Sequence, residues 1–478
     1  MSDPEGEKPQ VREILGRAAY AAHGFLDGLG HGPGAPRGRD EAAETFGSER
    51  LPQIGVGGAN ALDELVNWGV PAATRSAGPR FFHFVTGGAT PAALAADWLT
   101  STLDQNAFSW VSSPLGSRAE QVAVSWLKEL FELPAEWGGV ITTGATMANF
   151  TALAAARHWW ARQLGRDIDA DGFSGLPELP VLSSGYVHTS VVKALTMLGL
   201  GRNCVRRVTS DAVGRVDLEA LEDELRRLEG RPAVLVATAG EVNAGDFDPV
   251  GRLADLAERY GAWLHVDGAF GLFARVSTEA AELGDEIERA DSVISDGHKW
   301  LNVPYDCGFA FVRDPELLSG PFAATGAAYL PVGTRTRPSF GDRGPELSRR
   351  ARALPVWATL KAYGRTGYQE MVDRHIRLAR RVGQQVQADP DFELLAPVTL
   401  NVVCFRYRPR GVPQDTLDDL NARLAAAIQA DGRVFFGTTT YGGQTAFRPA
   451  ISNWRTTEAD VDLIIAIARE LGGRLQGV

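Results

Sequence analysis

Lys299 stands between an imidazole and an indole in Ser-Asp-Gly-His-Lys-Trp-Leu-Asn (295–302), directly after an apolar run that reads as a buried strand. Lysines are rarely fully buried. One placed here either reaches an anion with its ammonium or serves as an amine that forms an imine with an aldehyde. Asp267 ends a second apolar run, in His-Val-Asp-Gly-Ala-Phe-Gly (265–271). A carboxylate there either caps the next turn or pairs with a buried cation, such as a protonated pyridine nitrogen. His188 follows a third run and opens a helical pattern. Its ring is either a hydrogen-bonded structural group or a flat face for an aromatic ligand. Finally, Thr-Thr-Gly-Ala-Thr-Met-Ala-Asn (142–149) reads as strand, glycine turn and helix start. The free N–H groups and the positive dipole end of such a helix make an anion site. The Gly-Lys-Ser/Thr of a P-loop is missing, so nucleoside triphosphate binding is not supported.

Together these parts say more than any one of them. An imine-forming lysine, an acid for a pyridine nitrogen, an aromatic stacking face and an anion nest describe a site for pyridoxal 5′-phosphate. The carboxylate keeps the ring nitrogen protonated, and the ring then withdraws electrons from Cα of a bound amino acid.

Such residues need elements to position them. Seven short apolar runs follow one another, at 138–143, 180–184, 204–208, 233–239, 263–268, 291–296 and 308–312, and helical patterns separate most of them. That alternation predicts βαβ units and a mainly parallel sheet, with the last two runs close enough for one antiparallel pairing. In such sheets ligands sit beyond the carboxyl ends of the strands, where Thr146, His188, Asp267 and Lys299 all fall. The patterns at 9–26 and 58–70 predict an N-terminal helical segment, and Gly/Pro-rich sequence joins the two. Residues 320–350 have little periodicity; a long helix over 351–386 and a smaller αβ portion follow, with strands near 392–407 and 433–450. The expected division is 1–75 for the N-terminal segment, 76–320 for the large cofactor-binding domain, and 321–478 for a mobile loop and the small C-terminal domain.

Bulk properties narrow the function. The chain has 478 residues, 44% of them apolar and 22% charged, and a net charge of −11. That length calls for more than one core. The acidic balance argues against nucleic acid or an anionic membrane as partner. Three widely spaced cysteines form no CxxC pair, so neither a disulfide framework nor a thiolate metal site is expected, and no metal is assigned. No signal peptide or membrane-spanning run is read, which points to a cytoplasmic protein.

The segments "HVDGAFG" and "SDGHKWLNVPYDCGFAFV", with "NAFSWVSSPLGSRAEQVAVSWLKELFELP" (106–134), "GGVITTGATMANFTAL" (138–153) and "LSRRARALPVWATLKAYG" (347–364), resemble the group II pyridoxal-phosphate-dependent amino acid decarboxylases. That family includes the aromatic-amino-acid, histidine and glutamate decarboxylases. The resemblance covers about 80–455. It implies an α/β architecture of fold type I, a small amino acid substrate, and a homodimer with sites shared between subunits. By position it makes Lys299 the Schiff-base lysine, Asp267 the pyridinium partner and His188 the stacking residue that helps place the substrate carboxylate. Ala145, Thr146, Thr189 and His298 match phosphate-binding positions. Phe81, His83, Phe108 and Trp110 match the substrate-pocket wall. Asp296 stands where the aromatic decarboxylases have Asn, and Ala239–Asn243 departs from a Ser/Thr-rich turn. The resemblance also implies a loop tyrosine that returns a proton to Cα; Phe340 takes roughly its place, and Tyr329 precedes the loop. The expected reaction is decarboxylation of an L-amino acid, an aromatic one favoured, to the amine and CO2. The alternatives are decarboxylation coupled to oxidative deamination, which gives an aldehyde and which Phe340 suggests, and retro-aldol cleavage of another carbon–carbon bond. Arg349, Arg350 and Arg448 are candidates to meet a second carboxylate or to form structural ion pairs.

Overall fold

The computed structural model describes residues 3–30, 32–47, 50–323, 333–334 and 336–476. The seven apolar runs become seven strands: β1 (Gly138–Thr142), β2 (Val181–Ser183), β3 (Val205–Arg207), β4 (Val234–Thr238), β5 (Trp263–Asp267), β6 (Ser292–Asp296) and β7 (Gly308–Val312). They form one sheet in the order β1-β7-β6-β5-β4-β2-β3. β7 runs antiparallel to both β1 and β6, and the other pairings are parallel. Every residue of β1, β4, β5, β6 and β7 is buried. That is why they read as continuous apolar runs, since helices cover both faces of a parallel sheet.

Two features of this sheet build the site. Asp267 lies opposite Ile294 in the β5–β6 register. The end of β5 and the turn after β6 therefore open at the same edge. The Ala145–Gln163 helix carries an alanine-rich buried face, with Ala148, Ala152, Ala155 and Ala156 each at most 1% exposed. Small side chains let its axis approach the sheet closely, and its N-terminus is aimed at the same edge.

The smaller sheet is antiparallel, in the order β10-β11-β9-β8, with β8 (Phe392–Leu394), β9 (Phe405–Tyr407), β10 (Thr438–Tyr441) and β11 (Gln444–Phe447). Its core holds Phe405, Phe436, Phe447 and Ile464. The predicted long helix spans Ala353–Ala388 and is interrupted at Gly364, whose φ of 59° only glycine adopts easily. The N-terminal pattern forms helices Val11–Asp27 and Gly58–Glu64. A helix at Pro91–Leu103 was not anticipated. Thr90 Oγ1 caps it by accepting the Ala93 N–H at 3.3 Å. Among the described residues no helix is long and apolar enough to cross a membrane.

Candidate active site

The strand ends enclose a cavity of about 250 Å³. Thr143–Met147 follow β1, His188 and Ser190 follow β2, Thr238, Gly240 and Val242 come from β4 and its turn, Asp267 ends β5, and Asp296, His298 and Lys299 come from β6 and its turn. Of the residues expected to do chemistry or hold a cofactor, Ala145, Thr146, His188, Asp267, His298 and Lys299 all line this one space.

Each is held by identifiable bonds. Asp267 is 3% exposed. Its Oδ2 accepts from Asn149 Nδ2 at 3.0 Å and its Oδ1 from the Ala269 N–H at 3.1 Å. Lys299 Nζ lies 3.4 Å from Asp296 Oδ2 and 5.8 Å from the centre of the Phe270 ring. Asp296 also accepts the Ala145 N–H at 2.8 Å and lies 3.3 Å from His298 Nε2. Burial pushes this carboxyl up, but the Lys299 ammonium and the His298 contact outweigh it and leave the carboxyl below the ordinary range. His188 is the N-cap of the Thr189–Met197 helix: its Nδ1 accepts the Ser190 N–H at 3.2 Å and lies 2.7 Å from Ser190 Oγ. Burial lowers the His188 pKa; Asp267 opposes that shift, while Lys299 and Arg448 reinforce it.

Several polar atoms at the cavity have no partner among the described residues. His298 Nδ1 and Thr238 Oγ1 are buried without a hydrogen bond. The Ala145 N–H donates to Asp296, whereas the Thr146 and Met147 N–H groups lie in the first helical turn, where no intrahelical acceptor exists. Gly144 has φ 152°, and a Cβ there would sit 3.1 Å from His298 Cε1, so backbone and imidazole close the anion end together. These free donors, the carboxylate and the amine fit a phosphorylated pyridine aldehyde. Thr238 is the hydroxyl nearest in sequence to the Ala239–Asn243 turn, whose own polar groups are engaged elsewhere: Glu241 accepts the Asn243 and Ala244 N–H groups, both at 2.9 Å.

The other expected residues lie off this cavity within the chain. Thr189 is exposed and lies off the cavity, because the first helical residue points outward; Ser190, one position on, faces in. None of Phe81, His83, Phe108, Trp110 and Phe340 lines this cavity within the chain. Phe81 is buried and stacked on Phe435 with ring centres 5.2 Å apart. Phe340 is 1% exposed, packs in the core with Val140 and Ala148, and has the Arg343 and Arg349 guanidinium carbons 5.2 and 5.8 Å from its ring centre. Phe108 and Trp110 meet the same segment: the Phe108 carbonyl accepts the Gly341 N–H at 2.9 Å, and Arg337 lies over the Trp110 ring. His83 lies against Phe84, and burial with Arg448 nearby holds its pKa down at about 4. Tyr329 lies outside the described residues. Arg349 and Arg350 pair with Glu120 and Asp97. Arg448 donates from Nε to the Val242 carbonyl at 2.6 Å, beside the cavity. Asn149, Ser190 and Thr238 were not anticipated; only their position at the strand ends or in the first turns of the helices could have flagged them.

Comparison with known proteins gives the family. The family model described as "Pyridoxal-dependent decarboxylase conserved domain" matches residues 62–408. The chain is 32% identical over 389 residues to an aromatic-L-amino-acid decarboxylase of Bacillus atrophaeus, covering 80% of this chain and 79% of the relative. It is 32% identical over 433 residues to an L-2,4-diaminobutyrate decarboxylase of Rhizobium meliloti (strain 1021), covering 88% and 84%. A phenylacetaldehyde synthase of Arabidopsis thaliana is 29% identical over 413 residues, covering 84% and 83%. Among solved structures, Oryza sativa TDC with PLP and tryptamine superposes with a TM-score of 0.89 at 26% identity, over 98% of each chain.

Proposed function

The chain belongs to the pyridoxal-dependent decarboxylases, carboxy-lyases that use pyridoxal 5′-phosphate, and from that premise we propose that it converts an L-amino acid to its amine and CO2, with aromatic side chains preferred. One observation carries the reading: Lys299 and Asp267 reach a single cavity from the ends of neighbouring parallel strands, with the helix N-terminus and His188 beside them. The aromatic preference is supported by the relatives named for aromatic amino acids, although a diaminobutyrate decarboxylase matches at equal identity.

When bound, pyridoxal phosphate supplies an electron-withdrawing ring that takes up the electron pair of the bond broken at Cα. The chain does the rest. Lys299 Nζ is the amine that would hold the aldehyde carbon. Asp267, fixed by Asn149 and Ala269, would accept from the ring nitrogen and keep it protonated. His298 and the Thr146 and Met147 N–H groups would hold the phosphate. His188 would lie against the ring and help to place the substrate carboxylate, with Arg448 beside the cavity. Asp296 Oδ2, 3.4 Å from Nζ, gives the Lys299 amine a fixed partner at the cavity. Phe340 is buried off the cavity within the chain, and the amine is taken as the product, with the aldehyde that its place in the sequence suggests as the alternative.

We further propose that the chain acts as a homodimer. A groove of about 450 Å³, lined by Phe25, Leu62, Leu94 and Trp98 from three helices, is almost wholly apolar and supports burial against a second copy.

The test is to load the purified protein with the vitamer and incubate it with a panel of L-amino acids under oxygen, reading products by mass spectrometry. The expected result is an amine and CO2 in equal amounts without peroxide. Aldehyde with peroxide and ammonium would replace this reading with the oxidative one, and aldehyde without CO2 with the retro-aldol one.

A further inference from the structure

Behind the cavity wall a row of buried polar side chains, from Trp263 to His188, joins residues used above to His265 and Ser292, which no step above uses. Trp263 Nε1 donates to Ser292 Oγ at 2.9 Å, and Ser292 Oγ lies 2.8 Å from His265 Nδ1. His265 Nε2 lies 2.9 Å from Asn149 Oδ1. Asn149 Nδ2 lies 3.0 Å from Asp267 Oδ2 and 3.2 Å from Ser190 Oγ, which is in turn 2.7 Å from His188 Nδ1. Asn149, His265 and Ser292 are all 0% exposed.

Counting donors gives this row a direction. An ionised carboxylate only accepts, so the Asn149 amide must turn its nitrogen to Asp267 and its oxygen to His265. His265 therefore carries its proton on Nε2. The indole N–H only donates, so Ser292 Oγ accepts from Trp263 and spends its own hydrogen on His265 Nδ1. That makes His265 neutral, in keeping with burial, which holds its pKa down at about 4. At the other end, Asn149 uses its second N–H on Ser190 Oγ. The Ser190 hydroxyl then donates to His188 Nδ1, where the Ser190 backbone N–H also points. His188 is left with its proton on Nε2.

We propose that Asn149 and His265 are positioning residues: His265 locks the Asn149 amide, and that amide holds the Asp267 carboxylate and the His188 imidazole in fixed relation. The proposal rests on the roles given above to Asp267 and His188. Asn149 is hydrogen-bonded both to Asp267 and to Ser190, the partner of His188. Without it, Asp267 Oδ2 loses its side-chain donor, and the Ser190 hydroxyl loses the partner that fixes its direction.

The test compares Asn149→Leu, His265→Leu and His265→Gln with the parent protein. Each apo-protein is titrated with pyridoxal phosphate by absorbance, and its thermal melt is recorded alongside. Losing a hydrogen bond to a charged group should weaken binding roughly tenfold or more in Asn149→Leu and His265→Leu, with a shift of the visible band. His265→Gln, whose amide N–H can reach the same oxygen, should recover most of the loss. In the apo parent, 15N NMR of the histidine side chains should find both His265 and His188 protonated on Nε2. Equal behaviour of His265→Leu and His265→Gln, unchanged binding by a folded Asn149→Leu, or a proton on His265 Nδ1 would each overturn the proposal. The NMR measurement needs no variant, so it decides even if the substitutions unfold the chain. Failure of the parent to form an imine through Lys299 would instead break the reading of the site itself.

Discussion

Two buried carboxylate–cation pairs stand at this end of the molecule, and what each leaves unpaired separates them. Glu120 and Arg349 are both 2% exposed. Arg349 donates to both Glu120 oxygens, at 2.8 and 3.0 Å, and to the carbonyls of Ile141 and Ala107 at 2.6 and 3.3 Å. Glu120 also accepts the Ile141 N–H at 2.9 Å. This pair is saturated and stitches the segment before the long helix to β1. Asp296 and Lys299 make a single longer contact of 3.4 Å, and the lysine side chain is 17% exposed, toward the cavity. Its ammonium has no other carboxylate partner among the described residues. A buried charge with its donors spent holds structure; one with donors to spare can do chemistry, at the cost of weaker pairing.

That contrast predicts where substitutions act. Lys299→Ala should abolish the visible absorbance of the bound vitamer and lower CO2 release on the order of 10⁴-fold or more, since nothing nearby replaces the amine; a coloured, active variant would end the distinction. Glu120→Gln should do the opposite. Leaving Arg349 without its counter-charge should cost about 3–5 kcal/mol in urea unfolding, with the turnover of folded protein unchanged. Asp296→Asn keeps an oxygen for the Ala145 N–H, so its stability should change little, while turnover falls roughly 10–100-fold because the Lys299 ammonium loses its partner. Phe340→Tyr places a hydroxyl in the core near Arg349 and should cost about 1–3 kcal/mol of stability with no change in the ratio of amine to aldehyde. A change in that ratio would return Phe340 to the reaction.

Much of this site could be read before any coordinates. Six of the seven strands read as apolar runs because a covered sheet leaves no polar face to interrupt them, whereas the edge strand β3 exposes Arg206 and Arg207 and was legible only from its flanking apolar residues. Lys299, Asp267 and His188 were visible because ionisable groups directly after such runs have few bland explanations. The Pro91–Leu103 helix had its signals, Thr90 at the N-cap and Pro91 at the first position, and they went unread. Other features were not legible. The choice of Ser190 over Thr189 turns on about 100° of helix rotation, which depends on a start known only to a residue or two. Phe81 lies in an aromatic cluster and Phe340 in aperiodic sequence, and in both an aromatic ring reads equally as pocket wall or core anchor until packing decides. Asn149, His265 and Ser292 sit inside regular elements, and their hydrogen bonds join residues more than 20 positions apart.

Saturation without charge gives the mildest prediction. His375 is fully buried behind Trp300 of the His-Lys-Trp stretch: Trp300 Nε1 donates to its Nδ1 at 2.9 Å, and its Nε2 lies 2.9 Å from the Asn453 carbonyl. Both nitrogens are engaged only if the ring is neutral, and burial holds its pKa down at about 3. The unfolded chain therefore binds a proton near pH 6.5 that the folded chain refuses, so stability is complete above pH 6.5 and declines as pH falls toward 3. Asp248, pushed up by burial to about 7, acts in the reverse direction but is common to parent and variant. In His375→Gln the decline between pH 6 and 4 should be shallower by up to ~1.4 kcal/mol per pH unit, read from urea unfolding at each pH. Parallel curves would mean that His375 takes up its proton in place, and that a buried histidine with both nitrogens engaged is not held neutral by that arrangement.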